Sequence, residues 1–338
     1  MKKELKTIIF IAYAFILICL FYYYILMSDS QSSELNSSDK IEMQKTAIQP
    51  DYLLDNNGCK IAHINANNIQ NLLLKSNVNI NSPSIISTDS EQYFYQNGDS
   101  VLTYTNETLH FSTSFYNKIS QYFGANLNIK SENIINQLTD LSFMSKREAY
   151  QEIRKILNAL NISLDNTSYD CYVLDYEMLK RIAKESPGFR IENEISEQDE
   201  CYYFTIRQTI VSFPVIINYM NTFTELTSET APIQVLCSKN GIEYLHIEHF
   251  YDIKVKKSST NLKSFEEIRK NVLYKYSQLL NASFYEVKSV DFAYVLLENK
   301  KDLQLIPVWV FTITEDNSQS SYQYQELYNA LTAEEIVL

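Results

Sequence analysis

Apolar residues are distributed along this chain in three ways, and each predicts a different element. From Thr7 to Met27 they run without a charge, and about 20 consecutive apolar residues is the length a helix needs to cross a bilayer. Two later segments carry apolar positions at three- and four-residue spacing and predict amphipathic helices. Most of the remainder consists of short aromatic and β-branched stretches, which predict strands.

The first amphipathic helix opens at the capping box Ser145-Lys-Arg-Glu148, with Ala149, Ile153, Ile156, Leu157 and Leu160 on one stripe. The second opens at Ser264-Phe-Glu-Glu267 and turns Phe265, Ile268, Val272, Tyr276 and Leu279 inward. Both contain Glu-Ile-Arg-Lys, at Glu152–Lys155 and Glu267–Lys270, and both are followed by aromatic strands. After the first comes 201–217; after the second come 290–299 and 305–313. Hairpins are predicted at Asn97-Gly98 and Asn240-Gly241, each between strand-like runs. The expected fold class is α+β: an N-terminal transmembrane helix, then helix-packed antiparallel sheets in two related units.

The flanks of the apolar run set its orientation. Lys2, Lys3 and Lys6 stand against Glu4 alone before it, and Asp29, Glu34 and Asp39 follow it. The positive-inside rule puts the N-terminus in the cytoplasm and the C-terminal domain outside. Tyr22, Tyr23 and Tyr24 are expected at the membrane interface, rings in the headgroup layer and hydroxyls in water. A cleaved signal peptide would have a shorter core and a small-residue cleavage motif. A lipoprotein would use Cys19, but Ile18 stands where processing requires a small residue. The expected map is therefore a cytoplasmic tail (1–6), a signal anchor in the lipid bilayer (7–27), a Ser-rich flexible linker (28–48), and units at 49–232 and 233–338.

Composition narrows the chemistry. The net charge is −12, and setting aside the residues before the apolar run makes the rest more acidic still. Such a surface repels phosphate backbones, so no nucleic-acid partner is expected. There are only 5 glycines, and neither GxGxxG nor GxxxxGK[ST] occurs, which argues against phosphate-binding loops. Cys59, Cys171, Cys201 and Cys237 would face an oxidising compartment. Spacing does not choose among their three possible pairings, nor between bridges and buried thiols.

His246-Ile-Glu-His249 invites a metal reading, but its segment alternates as a strand does. That alternation sends the two imidazoles to opposite faces, His249 to the core and His246 to solvent. His63 and His110 have no motif around them. Trp309, the single tryptophan, lies in an apolar strand and is expected in the core rather than at a binding hot spot. No catalytic, cofactor-binding or metal-ligating residue is expected, and the protein is not expected to be an enzyme.

The C-terminal Leu305-Ile-Pro-Val-Trp-Val-Phe311 and Tyr328-Asn-Ala-Leu-Thr-Ala-Glu-Glu-Ile336 resemble the close of the YycI/YycH regulators of two-component histidine kinases. PepSY-like domains and uncharacterised lipoproteins of low-GC Gram-positive bacteria have similar endings, and SFEEIRKNVL is similar to the S-x-E-E-A helix of those modules. Ala333 departs from the pattern, which has glycine there. The resemblance implies an anchored extracytoplasmic domain that acts by protein contact, without cofactor. The expected function is a non-catalytic, single-pass cell-surface protein that binds or regulates another envelope protein, a sensor kinase being the particular candidate. The alternatives are a module binding peptide, glycan or lipid, and an envelope hydrolase using paired carboxylates.

Overall fold

The computed structural model describes residues 41–43, 54–65, 92–126, 139–185, 195–217, 231–257, 261–279, 283–299, 302–316 and 320–337. In chain order the strands begin with β1 (Ile41–Met43), β2 (Leu54–Ile61), β3 (Tyr93–Asn97), β4 (Ser100–Tyr104) and β5 (Leu109–Ser112). Helices α1 (Ser114–Asn126) and α2 (Lys146–Ala159) follow, then β6 (Thr167–Leu174), α3 (Tyr176–Glu185), β7 (Cys201–Ile210) and β8 (Phe213–Ile217). Next come β9 (Ile233–Ser238), β10 (Gly241–Ile247), β11 (Tyr251–Lys257) and α4 (Phe265–Ser277). The last elements are β12 (Phe284–Asn299), β13 (Asp302–Asp316), β14 (Ser321–Asn329) and β15 (Glu335–Ile336).

The expected α+β class is corrected by this inventory. Strands hold 51% of the described residues, against four α-helices, and the architecture is mostly β. The physical reason lies in the aromatic and β-branched excess, which favours half-buried pleated surfaces over helices. Among the described residues no helix is long and apolar enough to cross a membrane. The run 7–27, with Tyr22, Tyr23 and Tyr24, lies outside the described residues.

Seven strands form one antiparallel sheet in the order β3-β4-β5-β10-β9-β7-β6. Helix α2 covers one face, where Ala149, Ile153 and Leu157 pack against Tyr202, Phe204, Ile206, Val235 and Leu245. Its capping box forms as expected, the Glu148 amide donating to Ser145 Oγ at 3.2 Å and the Ser145 amide donating to Glu148 at 2.9 Å. Helices α1 and α3 cover the other face over Tyr203, Leu236 and Tyr244. Strand β7 is consequently buried on both sides, which explains why CYYFTIRQTI reads as a nearly continuous apolar run.

A second set of strands, β8-β12-β13-β14-β15, continues from the β7–β8 hairpin, with β1 also paired to β12. Helix α4 lies on it through Ile268, Val272 and Tyr276. The Tyr276 hydroxyl meets Tyr324 and donates to Glu326, each at 2.8 Å. Trp309 is fully buried here between Phe265 and Phe292, ring centroids 5.1 and 5.3 Å away. Strands β2 and β11 form a separate antiparallel ribbon.

Both predicted hairpins are present, as β3–β4 and β9–β10. The division expected at 232/233 falls just before β9, but β9 and β10 return to the first sheet, between β7 and β5. The aromatic segment 201–217 forms two strands, turning at Val211-Ser212, and that turn passes the chain from one set of strands to the other.

Ala333 adopts φ 63°, its amide donating to the Asn329 carbonyl at 2.8 Å and its own carbonyl accepting from Asn271 at 2.8 Å. A Cβ in the left-handed region is strained. Ala333→Gly is expected to stabilise the protein by about 0.5–1 kcal/mol, read as a higher urea midpoint with an unchanged slope.

Candidate functional site

A cleft of about 600 Å³ opens where the β2–β11 ribbon meets the β7–β8 turn and the loop after α2. The ribbon contributes Lys60, Ile61, Tyr251, Asp252, Ile253 and Val255. The opposite wall is Gln208, Thr209, Ile210 and Val211, with Asn161, Ser163, Asp165 and Asn166 beside it. His63 lies on the cleft and is exposed.

Each wall is fixed by backbone chemistry that can be traced to particular residues. Helix α2 ends with Asn161 at φ 66°, and the Ile162 amide reaches back to the Leu157 carbonyl at 2.9 Å. This is the left-handed helix stop in which asparagine substitutes for glycine. The Thr209 amide then donates to the Asn166 carbonyl at 2.8 Å, pinning the loop to β7.

The β7–β8 turn consists of Val211 at φ 50° and Ser212 at φ 71°. Two positive φ angles suit a tight hairpin, but asparagine and glycine are the residues that adopt them readily. A β-branched residue there is an outlier whose strain the surroundings must hold. Val211 is also 46% exposed, so its side chain gains little from burial. Val211→Gly is expected to raise stability by about 1 kcal/mol, measured as a shift in thermal midpoint.

Gln208 ties the ribbon to the first sheet. Its side chain is buried, donates from Nε2 to the Tyr251 carbonyl at 2.7 Å and accepts at Oε1 from the Tyr251 amide at 2.9 Å. One side-chain amide thereby satisfies both backbone groups of a residue on a neighbouring strand. Cys59 stands opposite Ile253 in the ribbon. Burial, with Asp252 assisting, pushes its thiol up to about 11.

Cys59, Cys171, Cys201 and Cys237 form no disulfide in the structure. Burial pushes Cys171 up to about 12 and Cys201 well above the usual thiol range. They are core residues without thiolate character.

The histidines depart from the expected alternation. Strand β10 ends at Ile247, and His249 takes φ 53° at the corner before β11. His246 and His249 therefore do not face opposite ways; both Nε2 atoms lie 3.2 Å from the Glu248 carboxylate. His110, across the ladder from His246, packs edge-on against it at 5.9 Å. Burial lowers the pKa of His110 with help from His246, and lowers that of His249 against the pull of Glu248. Among the described residues no group of three or more His, Cys, Asp or Glu side chains is arranged to hold a metal ion.

A second concavity, about 390 Å³, gathers Asp140, Asp175, Glu197 and Glu200 with Lys239. Helix starts account for three of these carboxylates. Asp140 accepts from the Lys146 amide at 2.9 Å, Asp175 from the Met178 amide at 2.7 Å, and Glu200 from the Tyr176 amide at 3.2 Å. Carboxylates at these positions satisfy orphan amides and complement the helix dipole.

None of the residues that build the first cleft carries a sequence motif. Arg207 and Gln208 are the long polar side chains in a strand largely of aromatic, aliphatic and threonine residues, the one signal in the sequence that could have marked the junction.

The fold and cleft define a mostly β protein with two sets of strands joined through one tight hairpin. No family model and no curated protein matches the chain. Among solved structures, it shares the fold of an uncharacterized protein from Eubacterium rectale ATCC 33656, with a TM-score of 0.61 at 18% identity over 89% of this chain and 91% of that one. The Bacillus megaterium YpeB C-terminal domain aligns over 80% of this chain and 93% of its own at 11% identity, with a TM-score of 0.29, a level that does not define a shared fold.

Proposed function

We propose that this chain is a non-catalytic protein of the cell envelope that binds and regulates another envelope protein through the cleft between β11 and the β7–β8 turn. The observation that carries this reading is the character of the cleft. It offers neutral amide and hydroxyl groups from Asn161, Ser163, Asn166 and Thr209 beside apolar Ile210, Val211, Ile253 and Val255. That mixture suits a polypeptide, whose backbone needs hydrogen-bonding partners and whose side chains need apolar contact. Val211 and Val255 stand exposed at this site. The apolar run 7–27 and its basic flank support a location at the membrane with the domain outside. The C-terminal resemblance to YycI/YycH regulators favours a sensor kinase as the partner.

The test is photo-cross-linking in cells of the native host, with the reactive residue placed in turn at Val211, Val255 and, as a distant control, Tyr322. Adducts with one envelope protein at the first two positions and none at Tyr322 are expected. No adduct at Val211 and Val255, or an equal yield at Tyr322, would sink the proposal.

A further inference from the structure

We infer that the occupant of the cleft is an extended, acidic polypeptide segment that pairs as an added strand on the outer edge of β11. This rests on the binding reading above and specifies how the partner is held.

The argument begins with the ribbon's register. Tyr251 stands opposite Ile61, and the Ala62 amide donates to the Phe250 carbonyl at 2.7 Å. In an antiparallel ladder, bonds made by the flanking residues mark Tyr251–Ile61 as a non-hydrogen-bonded pair. The N–H and C=O of Tyr251 therefore point away from β2. Gln208 occupies that outward position with one bond to each group, as a residue of a neighbouring strand would do. The outer edge of β11 is thus already used as a strand edge at Tyr251.

Two residues on, the same period turns the backbone of Ile253 outward. Ile253 and Val255 both line the cleft, and among the described residues no strand pairs with β11 on this side. A chain entering the cleft would meet this edge in line with the Gln208 amide. Recognition by strand addition draws its affinity from such main-chain bonds and its specificity from alternate side chains.

Charge decides which chain fits. The ribbon contains Lys60, Lys254, Lys256 and Lys257 against Asp55 and Asp252, in a protein of net charge −12. Lys254 and Asp252 are 3.9 Å apart, both well exposed, a pairing weak enough to yield to a better partner. Asp165 on the far wall and Asp252 on the ribbon both line the cleft and disfavour a carboxylate beside them, so the acidic side chains belong further along β11, beside Lys254 and Lys256. Lysines on an edge strand also oppose self-pairing, because a second copy would set lysine against lysine. An acidic strand is the partner that this edge accepts and its own copy is the one it rejects.

The test uses the full chain in detergent micelles and fluorescence anisotropy with a labelled peptide of about eight residues alternating Val and Glu. Methylating alternate backbone amides of the peptide, or exchanging its Glu for Lys, is expected to weaken binding by about tenfold or more. The doubly charge-reversed variant Lys254→Glu with Lys256→Glu, both at exposed positions, is expected to invert the preference between the two peptides. Equal binding of the methylated and unmethylated peptides overturns the inference, as does failure of the Val–Glu peptide to bind. The two proposals fail separately. Cross-links at Val255 without sensitivity to amide methylation would leave the binding role and remove the added strand. Methylation-sensitive peptide binding without an envelope adduct would do the reverse.

Discussion

Trp309→Ala is expected to lower the free energy of unfolding by about 3–5 kcal/mol, the range for deleting a large aromatic side chain from a packed core. Trp309 has no solvent exposure and sits among Phe265, Phe292, Phe311 and Tyr328, where α4 closes over β12 and β13. Rings interlocked from a helix and three strands cannot collapse onto the space an indole leaves, so most of the cavity persists. Trp309→Phe should be far milder, below about 2 kcal/mol. Among the described residues nothing accepts from Nε1, so removing it orphans no partner. Urea unfolding followed by far-UV circular dichroism checks both variants, since the substitution removes the single tryptophan. A Trp309→Phe loss as large as that of Trp309→Ala would show that the indole N–H matters after all.

Gln208→Leu carries the second large effect and acts through hydrogen bonds rather than volume. The replacement is close in size, but it leaves the buried N–H and C=O of Tyr251 without the two bonds Gln208 supplies. Each stranded buried group costs about 1–3 kcal/mol, so a total near 2–4 kcal/mol is expected. Gln208→Glu should fare little better, because a carboxylate can still accept from the amide but places an acceptor against the carbonyl. The consequence should be local first: the ribbon is held to the first sheet at this point, and the Tyr251 amide should exchange with solvent faster than amides of β7. Amide exchange resolved by residue, beside a thermal melt, separates this from general destabilisation. A variant that loses global stability while Tyr251 stays protected would contradict the role given to Gln208.

Much of the local structure was legible because it depends on neighbours in sequence. The capping box at Ser145, the N-cap at Ser264 and both stripes of core residues follow from helical spacing. The two Asn-Gly hairpins form as their turn chemistry requires. The burial of Trp309 was likewise readable from its apolar strand. Sequence and structure part where one element gives way to another. Alternation predicts a continuous strand through residues 246–249, but His249 turns a corner at φ 53° and both imidazoles reach Glu248. The turn within 201–217 has no signal in the sequence, because Val211-Ser212 contains none of the glycine or asparagine that normally announces a hairpin.

The balance of helix to sheet is hidden for a related reason. Two strongly periodic helices stand out in the sequence, while fifteen strands, several of them long, fill the described residues. Gln208 carries no motif of its own, and its importance depends on a Tyr251 backbone 43 residues away.

By itself the sequence determined the elements whose stability is local: capped helices, glycine-assisted hairpins, apolar runs, and an acidic overall charge. Only the tertiary structure decided how the strands were shared between two sets, and it alone made the cleft. Strand partnership is a long-range choice, made by backbone groups that are chemically the same in every residue and therefore leave no mark in the sequence. The cleft exists because a strained turn, a helix stop and a lysine-bearing ribbon converge there.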